Sequence, residues 1–322
     1  MNDHVENHVV NLNDAEPAKT PASAQTKSVL PNSAEHHTPL VTLFAMPKPF
    51  GRDTDRIQRN AIKSWLQLAP IVEVLLIGNE AGIAETAAEL GVRHVSEIEF
   101  NEQGTPLVSS AFEIAHRESS SPLLAYCNCD VILTKDFAEA IESLVSDQPH
   151  DQFVAFGQRS DVEVKTEIDF ADPNQVQQLM HHCKTTGVTS SAVCKEYFIF
   201  NRDLYQDIPK FAVGRGNWDN WMLHSAKQNR IPAINVSALI TAIHQAHDYS
   251  HTEHGRYKCY VSGDEAQENM RLAGGRHLIS GSTPTWRMTG KGIRKELPLV
   301  INPAFWADVP RFIRLMTNLL TG

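Results

Sequence analysis

From Pro39 onward the chain alternates short continuous apolar runs with longer stretches whose apolar residues recur every three or four positions. The first pattern predicts buried strands and the second amphipathic helices. Residues 40–46 form the first strand, which runs into Pro47-Lys48-Pro49-Phe50-Gly51-Arg52, a loop with two basic side chains. Asp53 or Thr54 caps a helix to about Ala69, with Ile57, Ala61, Ile62, Trp65 and Leu66 on one face and Pro70 as its stop. Residues 71–77 are apolar apart from Glu73, as a central parallel strand should be. That strand ends in Gly78-Asn79-Glu80, and a helix follows to Leu90 with Gly91 as its C-cap. A brief strand at 92–95, a loop at 101–106 and a helix at 107–117 come next. Residues 123–133 then pair one apolar run, ending in Asn128-Cys129-Asp130, with a second short one, before a helix from Thr134 or Lys135 to about Val145. This β-α-β-α-β order predicts a doubly wound, Rossmann-like α/β half.

The second half is less regular. Strands are expected at 152–156, 196–200, 233–236 and 239–243. Residues 162–168 alternate apolar and polar, as a half-exposed antiparallel strand does. A helix is expected at 173–183, and a flexible loop rich in Gly, Ser and Thr at 185–193. Gly214-Arg215-Gly216-Asn217-Trp218-Asp219-Asn220-Trp221 opens a helix to about Gln228. Gly274-Gly275 and Gly281 mark loops. The chain divides into three regions: a disordered tail at 1–38, too poor in large apolar residues to offset its ordering entropy; a domain at 39–290 with halves at 39–150 and 151–290; and a C-terminal tail at 291–322. Within that tail Phe305, Val309, Phe312, Ile313, Met316 and Leu319 share one helical face, which packs on the body or a partner or touches a membrane surface.

The totals narrow the function class. At 322 residues and 42% hydrophobic content the chain can bury a sizeable core. A net charge of −9 argues against a general nucleic-acid-binding role. Five cysteines, no basic-then-apolar leader and no run of about 18 apolar residues point to free thiols and a cytoplasmic protein.

Three constellations carry chemistry. Asp130, beside Asn128 at the carboxyl edge of an apolar strand, offers hard oxygen atoms where open α/β sheets place ligands. Such atoms suit Mg²⁺ or Mn²⁺, so Asp130 is expected to hold a metal–diphosphate pair. Trp218 and Trp221 lie i, i+3 on one helix face around Asp219. The rings either stack on a sugar or fill the core, and Asp219 either removes a hydroxyl proton or favours the helix start. Arg215 either meets a phosphate or is solvated. In His244-x-x-His247-Asp248-x-x-His251-x-x-His254 one metal ligand, His244 or His247, is expected, with the rest as polar loop. Cys127-x-Cys129 has no second pair nearby for zinc, and His181-His182-Cys183 reads as helix surface.

Asn128-Cys129-Asp130 after an apolar strand, the Trp218-Asp219-Asn220-Trp221 segment and a later histidine together resemble the GT-A-fold glycosyltransferases, especially inverting, family-2-like bacterial enzymes. Residues 104–110 and 241–251 also resemble stretches of bacterial glycosyltransferases, and the similarity covers about residues 40–280. The resemblance implies a GT-A fold and a nucleotide-sugar donor, with a UDP-sugar favoured. It implies a divalent cation, Mn²⁺ or Mg²⁺, on the donor diphosphate, and a carbohydrate or lipid-linked acceptor. Asn128 replaces the first acid of the family's Asp-x-Asp motif, so Asp130 is the main metal ligand; the metal-binding histidine maps to His244 or His247 and the base to Asp219. Glu80 either contacts the nucleotide base or is simply an acid at a helix start, and Lys48 and Arg52 are expected at the donor phosphates. The competing readings are a non-catalytic carbohydrate- or protein-binding member of the fold, and a sugar nucleotidyltransferase, for which Pro47-Lys48-Pro49-Phe50-Gly51-Arg52 is a poor Gly-rich loop.

Overall fold

Strand β1 (Val41–Ala45) is apolar except for Thr42 and buried throughout. Parallel neighbours cover both its edges: β2 (Val72–Ile77) on one side and β4 (Leu123–Cys127) on the other. A third parallel strand, β3 (Arg93–Val95), extends the sheet beyond β2. Three helices make the crossovers: α1 (Asp55–Leu66), α2 (Ile83–Leu90), which stops at Gly91 in the left-handed region (φ 68°), and α3 (Val108–Glu118). The computed structural model describes residues 38–51, 54–147, 151–190, 195–246, 262–275 and 284–296. The chain divides between His36 and His37, and every described residue lies in the second unit. Residues 1–37 of the expected tail, the C-terminal tail from 297 on, and Arg52, His247, His251, His254 and Gly281 lie outside the described residues.

After β4 come β5 (Val131–Ile132), α4 (Lys135–Asp147), β6 (Val154–Phe156), β7 (Arg159–Val162), α5 (Pro173–Thr186), β8 (Val188–Thr189) and β9 (Tyr197–Asn201). Then come α6 (Trp218–Gln228), β10 (Ala233–Asn235), β11 (Ala242–Gln245), α7 (Asp264–Leu272) and the hairpin β12 (Trp286–Thr289) and β13 (Gly292–Lys295). The described strands make a nine-stranded mixed sheet, β13-β12-β10-β6-β9-β4-β1-β2-β3, and a four-stranded one, β5-β11-β7-β8. The expected doubly wound α/β architecture is the one observed, and both sequence halves share its main sheet. On one face α1, α2 and α4 bury Ile62, Trp65, Ile83, Phe137 and Ile141. On the other, α3 and α6 bury Phe112, Trp218, Met222 and Leu223.

Strand β9 is antiparallel to both β4 and β6, with Tyr197 opposite Cys127 and Phe198 opposite Phe156. Its beginning therefore lies at the edge where β4 and β6 end. Tyr197 is fully buried there, and its hydroxyl sits against Gly157: a Cβ on Gly157 would lie 1.8 Å from Tyr197 Oη. Gly157→Ala is expected to destabilise the protein by roughly 1–3 kcal/mol through overpacking. Adding Tyr197→Phe should recover part of that loss. Purely additive effects in a double-mutant cycle in urea would show that the clash lies elsewhere.

Two predicted elements are corrected. Residues 163–168 do not continue β7. Their backbone is bound instead by α1: Asn60 Nδ2 donates to the Thr166 carbonyl (3.0 Å), the Ile168 N–H donates to Asn60 Oδ1 (2.9 Å), and Arg56 donates to the Val164 carbonyl. The helix side chains take the place of a neighbouring strand. The loop expected at 185–193 begins as the last turn of α5 and then the edge strand β8.

Candidate active site

The parallel strands deliver three of the sequence candidates to one edge. Lys48 follows the end of β1, Glu80 the end of β2 and Asp130 the end of β4, and these strands are neighbours in the sheet. That carboxyl edge is where open α/β sheets bind ligands. Lys48 is exposed, and its charge acts on the Cys129 thiol, one residue from Asp130. Glu80 is half-buried at the turn into α2.

The small sheet brings His244 to the same edge. β11 pairs antiparallel with β5, placing His244 opposite Val131, and the Gln245 N–H donates to the Asp130 carbonyl (3.1 Å). His244 Nε2 faces Asp130 Oδ2 at 3.6 Å. On its other edge β11 pairs parallel with β7, in register His244 to Asp161, and His244 Nδ1 lies 2.7 Å from Asp161 Oδ1. Burial alone would lower the His244 pKa, but the Asp130 and Asp161 carboxylates outweigh it and raise it to about 9. Burial also works against ionised Asp161, yet His244 and Arg159 hold its carboxyl below the usual range.

Arg159 and Glu196 continue the network. Arg159 Nε lies 2.9 Å from Asp161 Oδ1, and its Nη1 pairs with Glu196. Glu196 reaches the site because β9 starts at this edge. Its Oε2 accepts from Asn128 Nδ2 (2.5 Å), while Asn128 Oδ1 accepts from the Tyr126 hydroxyl (2.8 Å). Asn128 was expected to offer an oxygen to a metal; both ends of its amide are instead engaged by the protein. Asp130 and His244 face each other at this edge. Among the described residues no three His, Cys, Asp or Glu side chains converge on a cation position. A carboxylate and an imidazole whose other nitrogen is fixed by a carboxylate are nevertheless donors that would suit a divalent cation, whose binding would require His244 to give up its second proton. Cys127 and Cys129 are buried free thiols, and burial together with the Asp130 charge pushes both well above the usual thiol range, so they are inert nucleophiles.

Asp219 sits in the first turn of α6. The approach loop takes left-handed conformations at Gly214, Gly216 and Asn217, and a polar clamp holds it: buried Asn269 on α7 accepts from the Ala212 N–H (2.9 Å) and donates to the Ala212 and Gly216 carbonyls. Burial raises the Asp219 carboxyl above the usual range, and Lys195 opposes it. Three candidates make protein contacts here that the sequence did not show. Trp218 is 7% exposed and packed edge-on against Tyr126 (5.0 Å) and near Phe112 and Phe198, so it is core and not a sugar platform. Trp221 packs on Phe211 and Tyr205. Arg215 Nε donates to Glu265 Oε2 (2.6 Å), a carboxylate that also accepts from Asn101, so the guanidinium braces this loop against α7.

Four site residues were not anticipated from the sequence: Arg159, Asp161, Lys195 and Glu196. Arg159 and Asp161 are i, i+2 on a strand and so share a face. That signal is readable when β7 is started at 159 instead of 162.

No protein-family model and no curated protein matches the chain. Solved structures with a similar layout include glucosyl-3-phosphoglycerate synthase of Mycobacterium tuberculosis in complex with Mn²⁺, UDP and glucosyl-3-phosphoglycerate: 13% identity, 74% of this chain, 81% of that chain, TM-score 0.42. The 1–349 fragment of S. aureus TarS with UDP-GlcNAc is 13% identical over 72% of this chain and 65% of that one, with a TM-score of 0.40. The alignment thus spans less than two thirds of that fragment. A candidate nucleotide-diphospho-sugar transferase from Desulfovibrio desulfuricans G20 is 10% identical over 73% of this chain and 97% of that one, with a TM-score of 0.40. These three structures share a general α/β layout with this chain at low sequence identity.

Proposed function

We propose that the protein is a glycosyltransferase that moves a sugar from a nucleotide-diphosphate donor to an acceptor hydroxyl with inversion. The observation that carries this reading is the Asp130–His244 pair at the end of β4, with His244 oriented by Asp161, and with the first turn of α6 bonded through Asn220 to Lys195 in the lead-in to β9. Asp130 and His244 would hold Mn²⁺ or Mg²⁺. When bound, the cation neutralises the charge that develops on the leaving diphosphate. Lys48 adds positive charge on the same side. Asp219 removes the proton of the acceptor hydroxyl as its oxygen bonds to the anomeric carbon. The bond from that carbon to the diphosphate breaks, and the nucleoside diphosphate leaves with the electron pair. A carboxyl held above its usual pKa is a better proton acceptor than an exposed aspartate, provided the pH keeps it ionised. Activity should therefore fall as pH drops through a value above about 3.9, the ordinary aspartate pKa.

The engaged amide of Asn128 favours a second reading, a non-catalytic binder that keeps the nucleotide-sugar pocket. One experiment separates the two. The full chain is incubated with Mn²⁺ and a panel of UDP-, GDP- and TDP-sugars, and both thermal stabilisation and nucleoside diphosphate release are followed. Stabilisation with release supports the transferase. Stabilisation without release, with or without added sugar acceptors, points to the binder. No stabilisation by any donor overturns both.

A further inference from the structure

Residues 195 and 196 are a lysine and a glutamate, 6% and 7% exposed, in the lead-in to β9. Burying an ammonium is costly unless it is compensated, and an apolar residue of similar volume is often as stable or more so. Lys195 is therefore a poor choice for packing alone. The glutamate faces the donor side, toward Asn128 and Arg159. The lysine faces the other way. Its Nζ donates to Asn220 Oδ1 (3.0 Å) in the first turn of α6, and it lies 6.0 Å from the centre of the Phe156 ring.

We propose that Lys195 is a positioning residue for the transfer: it ties the start of α6 to the donor edge through Asn220 and supplies the counter-charge to the Asp219 carboxylate. The proposal rests on Asp219 acting as the base. Of the charged groups around this turn, Glu196 is drawn to Asn128 and Arg159, and Arg215 is drawn to Glu265. Lys195 is the described side chain whose charge acts on Asp219. Two adjacent residues of one strand lead-in thus face the two halves of the reaction, the leaving group through Glu196 and the acceptor through Lys195.

The test compares wild type, Lys195→Met and Lys195→Arg as full chains, with the donor that the panel identifies. In the Met variant kcat should fall at least about tenfold, and the acid limb of kcat/KM should move up by about 1 pH unit, as loss of a nearby opposite charge requires. Stabilisation by Mn²⁺ and donor should stay near wild type, and Arg should restore the limb. An active Met variant with an unmoved limb overturns the proposal, as does an Arg variant as impaired as Met. Absence of donor-dependent release in wild type instead removes the transferase reading. A thermal readout keeps the proposal testable even then. The rise in Tm on Asp219→Asn should be larger in the Met background than in wild type, because an ionised Asp219 without Lys195 costs more. An equal rise in both backgrounds overturns the counter-charge. If the Met variant does not fold, Lys195→Gln takes its place in each comparison.

Discussion

Asp219→Asn is expected to lower kcat by about 10²- to 10⁴-fold, the usual contribution of a positioned general base, and at the same time to raise Tm at neutral pH. The two effects share one cause. Burial at the start of α6 raises the folded-state pKa of Asp219 above its unfolded value. The folded chain then binds more protons than the unfolded one between the two pKa values, so stability falls as pH rises through that window. Below the unfolded carboxylate value, about 3.9, the penalty is absent. At neutral pH it is fully present, and asparagine removes it. The gain in Tm should therefore shrink as the pH is lowered toward that value. A carboxylate that merely favoured the helix N-terminus would behave in the opposite way, since its loss would lower Tm. Thermal scans of wild type and Asp219→Asn across pH 4 to 8, beside single-turnover rates, decide between these roles. Unchanged transfer in the variant would remove Asp219 as the base, whatever its effect on Tm.

The first half of the fold was legible because its strands are central and parallel. Residues 41–45, 72–77 and 123–127 are covered on both faces, so each is an apolar run, broken only by Thr42 and Glu73, that declares itself. The second half hid for three different reasons. The alternation at 162–168 has the period of a strand, but its hydrogen-bonding partners are Asn60 and Arg56, polar residues of α1 about a hundred positions away. Helix α7 carries almost no apolar face, because its buried anchor is Asn269. The β12–β13 hairpin went unread because its residues, Trp-Arg-Met-Thr and Gly-Ile-Arg-Lys, mix charge with apolar side chains.

The site divides along the same line. Asp130 could be found because an acid after an apolar strand marks a sheet edge, and His244 because histidines cluster there in the sequence. Glu196 and Lys195 could not. They reach the edge only because β9 runs antiparallel to β4, and strand direction depends on the whole topology. Two tryptophans at i, i+3 fit a sugar platform and a core equally well by spacing. The decision came from Tyr126, Phe112 and Phe198, which meet the Trp218 ring from β4, α3 and β9.

Asp130→Asn is expected to abolish Mn²⁺-dependent stabilisation by a nucleotide-sugar and to lower diphosphate release by about 10²- to 10³-fold, the scale seen when one stabiliser of developing charge is removed. The effect should be this large because, among the described residues, no neighbouring carboxylate is placed to take over. Position 128 is already an amide, and that amide is held by Tyr126 and Glu196. Asp161 is turned toward His244 Nδ1, and Glu196 toward Arg159. The backbone of Asp130 still accepts from the Gln245 N–H in the variant, so the β5–β11 pairing and the far-UV circular dichroism should be retained. Asp161→Asn should act more weakly, costing about 10- to 100-fold in Mn²⁺ affinity, because it disturbs only the group that orients His244. The order of the two variants is the informative result. If Asp161→Asn were the more damaging, His244 would matter chiefly as a charged partner in the Arg159–Glu196 network and not as a ligand. If release in Asp130→Asn matched wild type with or without Mn²⁺, the edge of β4 would hold the donor through Lys48 and backbone groups alone, and Asn128 would mark a site that had lost its need for a cation.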